Sequence, residues 1–285
     1  MQELRSSRTA AYVALLRALG HRGWTSAQGF RDEFACTLLP PRWAAALAWF
    51  GPKIPTLPTF ARERIIAHVD LLVTRALAID SQLTAALGAG CHQVVILGAG
   101  FDSRAHRMSA LEAAHVFEVD HPATQTEKQR RAARLARTCR QLTYVGCNFE
   151  RDLLADRLQS AGHRADEPTV WICEGVTLYL DDEALRATLV TIAARSAAKS
   201  TLIVEYHDSE ARNAYTVYAF VRKILLAVWS EPQIGARSQP AFRADLERAG
   251  LRIDKDFGVS EWGATFAGAK SRPPAHSARL AVAKL

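Results

Sequence analysis

Gln93-Val94-Val95-Ile96-Leu97-Gly98-Ala99-Gly100-Phe101-Asp102-Ser103-Arg104 is the stretch whose reading decides the fold. Val94 to Leu97 predict a short buried strand. Gly98 and Gly100 permit a tight turn and a close backbone approach to a bound group. Ser103 to Met108 predict the start of a helix, whose free N–H groups favour a polar or anionic ligand group. Strand, glycine turn and helix in this order open a nucleotide-type pocket at the end of a parallel sheet.

Two acids narrow the ligand. A dinucleotide fingerprint places a third glycine where Ser103 stands. Asp102 lies inside the turn, where it repels a diphosphate and attracts an ammonium group. About twenty residues on, the next apolar strand ends in Phe117-Glu118-Val119-Asp120, a place suited to holding ribose hydroxyls. A ligand with a ribose, an amine and no phosphate meets these conditions, and S-adenosylmethionine is such a ligand. NAD is the competing reading. A glycine turn that merely closes a strand explains neither acid.

Working outward, 285 residues can bury a full core as one large domain or two small ones. The chain is 49% hydrophobic and 23% charged, which places it among globular proteins. No apolar run approaches the ~20 residues that span a bilayer. Met1 to Arg5 carry no apolar signal segment, so a cytoplasmic location is expected. The cysteines at 36, 91, 139, 147 and 173 lack metal-ligand spacing, so reduced thiols and no structural metal are expected. The net charge of +7 is concentrated between Lys128 and Arg140, on several sides of one helix, and reads as a solvated face rather than a nucleic-acid stripe.

The first ~90 residues read as helical: 6–20 with Ser6 or Ser7 as cap, 30–39 stopped by Pro40-Pro41, and a long helix from about 60 to 87. Pro52, Pro55 and Pro58 mark an irregular connection between them. Strands are predicted near 93–98, 115–119, 142–146, 169–174 and 200–206. Helices fall between them near 103–112, 121–138, 150–161 and 181–197. This alternation predicts a doubly wound, mostly parallel α/β sheet with its ligand at the carboxyl ends of the strands. Residues 1–90 would form a helical cap, 91–210 the cofactor-binding core, 211–240 a lid and 241–285 a C-terminal helix and strands. The aromatic helix 211–230, with Tyr215, Tyr218, Phe220 and Trp229, reads equally as lid or core.

Three ordered motifs carry a family resemblance: Gln93 to Arg104, then Phe117-Glu118-Val119-Asp120-His121-Pro122, then Glu174-Gly175-Val176-Thr177-Leu178-Tyr179-Leu180. Together they resemble the leucine carboxyl methyltransferase family of S-adenosylmethionine-dependent enzymes, with Ser7-Arg8-Thr9-Ala10 and the Arg75 to Asp80 helix similar to its bacterial members. The resemblance implies a Rossmann-like class I methyltransferase fold. It implies that Gly98, Ala99, Gly100 and Gly175 pass the methionine part of the cofactor, with Arg75 at its carboxylate and Glu174 at its amine. Asp120 would hold the ribose, and Asn148-Phe149 would meet adenine. Asn148 departs from the family's usual Asp, although its amide oxygen can still accept from the adenine amine. Asp102 would fix the turn or a nearby charge, and Ser103 replaces the usual Thr. Arg104 reads either as an ion-paired helix residue or as a pocket wall.

The implied chemistry is O-methylation of a small-molecule carboxylate, with Arg8 and Tyr179 positioning the acceptor. A carboxylate needs no general base. A phenol or hydroxyl acceptor needs one, and His207 and His121 are the candidates. A protein C-terminal carboxyl is a further acceptor within the family, while an NAD-linked oxidoreductase and a non-catalytic cofactor-binding protein are the readings of other classes. The acceptor's identity and the oligomeric state leave no mark in the sequence.

Overall fold

The computed structural model describes residues 8–149, 151–214, 235–268 and 277–285. The proposed caps Ser6 and Ser7 and the aromatic stretch Tyr215, Tyr218, Phe220 and Trp229 lie outside the described residues. Seven strands form one sheet: β1 (Gln93–Leu97), β2 (His115–Asp120), β3 (Gln141–Gly146), β4 (Thr169–Cys173), β5 (Thr201–His207), β6 (Arg252–Gly258) and β7 (Ala278–Lys284), in the order β3-β2-β1-β4-β5-β7-β6. The first five pair in parallel, and β7 runs antiparallel between β5 and β6. This is the mixed α/β sheet that the alternation predicts.

Every residue of β1, β4 and β5 is buried. Such continuous apolar runs arise because parallel strands are covered on both faces. On one face, Val94, Ile96, Val116, Ile172 and Ile203 meet Ala78, Ile79 and Leu83 of α4 (Thr59–Gly88) and Trp262 of a late helix, Val259–Ala267. On the other, Val95, Phe117, Trp171 and Val204 meet α7 (Leu154–Ser160), α8 (Asp182–Ala194) and a helix over Gln239–Arg248. A third cluster joins α1 (Arg8–His21), α2 (Glu33–Leu38) and α3 (Pro41–Phe50) to Val69, Val73 and Ala76 of α4. Helix α4 therefore serves the sheet and the N-terminal helices at once.

Several boundaries differ from expectation, each for a local reason. Pro40-Pro41 ends α2 and also starts α3, because Pro41 sits at the first helical position, where a missing N–H costs nothing. The helix expected over 103–112 is a single turn, α5 (Arg104–Arg107), broken by extended backbone at Met108 before a 3-10 turn at Ser109–Leu111. The helix expected over 121–138 is α6 (Pro122–Ala132). Beyond it the N and Oγ1 of Thr138 both donate to the Ala105 carbonyl, at 2.9 and 3.1 Å, which draws the chain away from helical geometry. Strand β6 escapes the pattern because Arg252, Asp254 and Lys255 face solvent at an edge with a register shift between Ile253 and Lys255, a charged form that discourages edge pairing.

Candidate active site

Strand order and register assemble the site. Leu97 pairs with Val119 on one side and with Cys173 on the other, so Gly98, Asp120 and Glu174 emerge at neighbouring carboxyl ends. Side chains alternate along a strand. Continuing the α4-facing series Ile96, Val116, Ile172 and Ile203 by two residues at a time reaches Gly98, Glu118 then Asp120, Glu174 and Glu205. Polar groups thus collect on one face where the apolar run stops.

The two turn glycines take positive φ, 62° at Gly98 and 47° at Gly100. A Cβ on Gly98 would sit 2.4 Å from Cγ2 of Val176, and one on Gly100 would sit 2.9 Å from Cβ of Ala10. The close approach expected of a ligand is therefore made at these two points by the protein itself: the loop after β4 and the start of α1. Ala99 N donates to the Val119 carbonyl at 3.0 Å, extending the β1–β2 ladder into the turn. The single turn of α5 presents no open anion seat, since its Arg104 N is already satisfied by Asp102 Oδ1 at 2.7 Å.

A chain of buried ion pairs runs behind this turn. The Arg104 guanidinium, 1% exposed, donates through Nε to Asp80 at 2.7 Å, through Nη2 to Glu174 Oε2 at 2.9 Å, and through Nη1 to Asp102. Arg75 donates through Nε to Glu174 Oε1 at 3.0 Å and through Nη1 to Glu205 Oε1 at 2.8 Å. The other Glu205 oxygen accepts from Gly175 N at 2.9 Å, and Arg107 reaches Asp80 at 2.7 Å. Burial opposes ionisation of Glu174, yet Arg104 and Arg75 outweigh it and hold the carboxyl down at about 2. Asp102 is likewise held below the usual range against burial, chiefly by Arg104.

These shifts carry a linkage. A carboxyl lowered from its ordinary 4.5 to about 2 contributes stability above 4.5 that is lost as pH falls towards 2. The urea midpoint should therefore drop steeply through that window, and Glu174→Gln should flatten the drop. Equal slopes in the two proteins would show that Glu174 is not held in this way.

The acids of β2 divide in role. Glu118 is fully buried against Lys128 Nζ at 2.5 Å, and burial pushes its carboxyl up to about 7 despite that cation. Asp120, half-buried at the strand end, accepts from Gly100 N at 2.5 Å and from His121 N at 2.6 Å. One strand further out, Asn148 N donates to Asp152 at 2.8 Å, and the ring of Phe149 is exposed.

Tyr179, in the 3-10 turn Thr177–Tyr179, places its hydroxyl 3.3 Å from Thr9 Oγ1, so Arg8 and Tyr179 are carried to the same rim by adjacent chain. His207, a candidate base for a hydroxyl acceptor, lies buried at the end of β5. It is 5% exposed, with Nδ1 3.0 Å from Ser277 Oγ and Nε2 4.0 Å from Glu205. His121 caps α6, its Nδ1 accepting from Ala123 N at 3.2 Å. Arg75 faces Glu174 and Glu205, whereas Asp80 pairs with Arg104 and Arg107. Glu205 was not singled out from sequence. Its signal was present: one acid inside the otherwise apolar run Leu202 to Tyr206 has to find a buried cation.

Among the described residues no group of His, Cys, Asp and Glu is arranged to hold a metal ion, and no helix is long and apolar enough to cross a membrane.

The family model described as leucine carboxyl methyltransferase matches residues 10–193. A provisionally assigned S-adenosyl-L-methionine-dependent methyltransferase of Streptomyces coelicolor is 37% identical over 198 residues, 68% of this chain and 66% of the relative. Another, from Parafrankia sp., is 34% identical over 236 residues, covering 78% of this chain and 72% of its own. The match thus spans just under two thirds of the Streptomyces relative. Among solved structures, a DUF574 family protein from Streptomyces avermitilis shares the fold with TM-score 0.60 at 16% identity, covering 99% of this chain and 98% of its own.

Proposed function

Because this chain belongs to the leucine carboxyl methyltransferase family, we propose that it is an S-adenosylmethionine-dependent O-methyltransferase acting on a carboxylate of a small molecule. The observation that carries the reading is the charge of the crevice. Arg75, Arg104 and Arg107 face Asp80, Asp102, Glu174 and Glu205, three formal cations against four formal anions, with Asp120 adding another anion beside the glycine turn. S-adenosylmethionine bears an ammonium, a sulfonium and a carboxylate, a net single positive charge that complements this excess. The diphosphate of NAD would add like charge to it.

The residues fit that cofactor. Glu174 Oε1 faces both Nε and Nη2 of Arg75, whereas Oε2 accepts from Arg104 alone, and the side chain is 16% exposed, so Oε2 keeps a lone pair for an amine. Asp120 likewise keeps lone pairs for ribose hydroxyls after accepting two backbone N–H groups. Arg75 would take the carboxylate, the turn Gly98-Ala99-Gly100 with Gly175 would border the methionine part, Asp102 would fix Arg104, and Asn148 and Phe149 would meet adenine. The bound cofactor supplies a methyl group on an already good leaving group. What the chain then contributes is alignment of the acceptor, a contribution that reaches ~7–11 kcal/mol in well-oriented systems.

Arg8 and Tyr179 are proposed to orient that acceptor. Of the two candidate bases, His207 is buried against Ser277 and His121 caps a helix. This favours a carboxylate, which attacks without a base, over a hydroxyl. Calorimetry should give micromolar binding of S-adenosylhomocysteine and none of NAD, and labelled methyl transfer should yield a base-labile ester. An NAD isotherm, or a base-stable product, would overturn the cofactor or the acceptor reading respectively.

A further inference from the structure

Helix α1 has two working faces. Ala10 and Arg17 look towards the glycine turn, Ala10 against Gly100 and Arg17 donating to the Phe101 carbonyl. Tyr12, Leu15 and Leu19 follow one another at helical spacing on a different face. That face borders a cavity of about 350 Å³ closed by Leu47 and Phe50 of α3 and by Ile65 of α4. The volume falls within the range of small-molecule sites, about 300–1,000 Å³. Its walls are almost wholly apolar, and no Asp or Glu lines it among the described residues.

The one charged residue of the lining among the described residues is Arg64, one turn before His68 on α4. Arg64 is exposed and has no ion pair among the described residues, unlike the arginines of the crevice. Phe60, one turn before Arg64, is 68% exposed, and Phe50 on the facing helix is 38% exposed. Large aromatic rings left open beside an apolar hollow with one unmatched cation form a surface complementary to an amphipathic anion.

We propose that this cavity binds one molecule of a small amphipathic carboxylate, with its apolar body between α1 and α3 and its carboxylate at Arg64. The site lies on the other side of α1 from the glycine turn and is independent of the crevice and of the methyl-transfer reading. Bound there, the molecule would press on the helix that carries Arg8 and Thr9 to the rim.

Calorimetric titration of the full chain with decanoate, 1-decanol and decylamine, each below its micelle concentration, tests this. The expected result is one-to-one binding of decanoate at least tenfold tighter than decanol, with decylamine weakest. Arg64→Gln should bring decanoate and decanol level. Leu15→Trp should abolish both, with thermal melts confirming that each variant is folded. Saturating S-adenosylhomocysteine should change decanoate affinity less than twofold. Equal affinity for acid and alcohol, binding unaffected by Leu15→Trp, direct competition by S-adenosylhomocysteine, or binding only to phosphatidylglycerol vesicles would each overturn the proposal. Arg64→Gln alone keeps it open to refutation if Leu15→Trp fails to fold.

Discussion

Arg104→Met is expected to cost about 3–5 kcal/mol of folding stability, the range for removing one partner of a buried ionic cluster. The guanidinium is 1% exposed and serves three acids that come from different parts of the chain: Asp80 of α4, Asp102 of the turn, and Glu174 after β4. Methionine fills much of the same space and supplies none of the five N–H donors. Three carboxylates then remain close together, with Arg75 and Arg107 at the flanks as their nearest cations. They must take up protons or draw in water, and either response costs free energy. Replacing the entire cluster with apolar groups would be a different experiment, because the acids would no longer be stranded. Urea unfolding at neutral pH measures the effect, and a loss below about 1 kcal/mol, the range of an exposed pair, would mean that solvent already screens the cluster.

Glu174→Gln should show the opposite balance, with a modest loss of stability and a large loss of ligand affinity. The side chain keeps its shape. Only one end of the amide can accept, so its NH₂ must oppose N–H groups of either Arg75 or Arg104, and a stability loss of about 1–3 kcal/mol follows from the lost charged hydrogen bond. The crevice also loses one anion, which halves its formal excess of carboxylates, Asp120 included. A cationic cofactor then loses both its partner and the field that favours it. S-adenosylmethionine affinity should fall about a hundredfold, equivalent to about 2.7 kcal/mol. An unchanged isotherm in a folded variant would remove Glu174 from the cofactor site and with it the proposed placement of the amine.

Much of this architecture is legible from residues close together in sequence. Val94 to Leu97 announce a buried strand, Gly98 and Gly100 a turn with positive φ, and the long apolar period from Ile65 to Leu77 the helix α4. These signals are local because backbone sterics and side-chain alternation act over a few residues. Strand β6 and helix α3 were hidden by the same logic. One is an edge strand whose charged residues mask the alternation, and the other begins at a proline that reads first as a stop.

Which acid meets which arginine is another matter. Arg75 is 99 residues from Glu174 and 130 from Glu205, and nothing in its own helix distinguishes those partners from Asp80, five residues away. The sheet order β2-β1-β4-β5 decides it, by setting the carboxyl ends of four strands side by side beneath α4. The same order buries His207 and gives the space beside Gly98 to Val176. Sequence alone determined the five parallel strands, the turn and the chemical character of the rim. Tertiary packing decided how those charges are paired, because a buried charge must be neutralised by whatever the fold brings within reach, however distant along the chain.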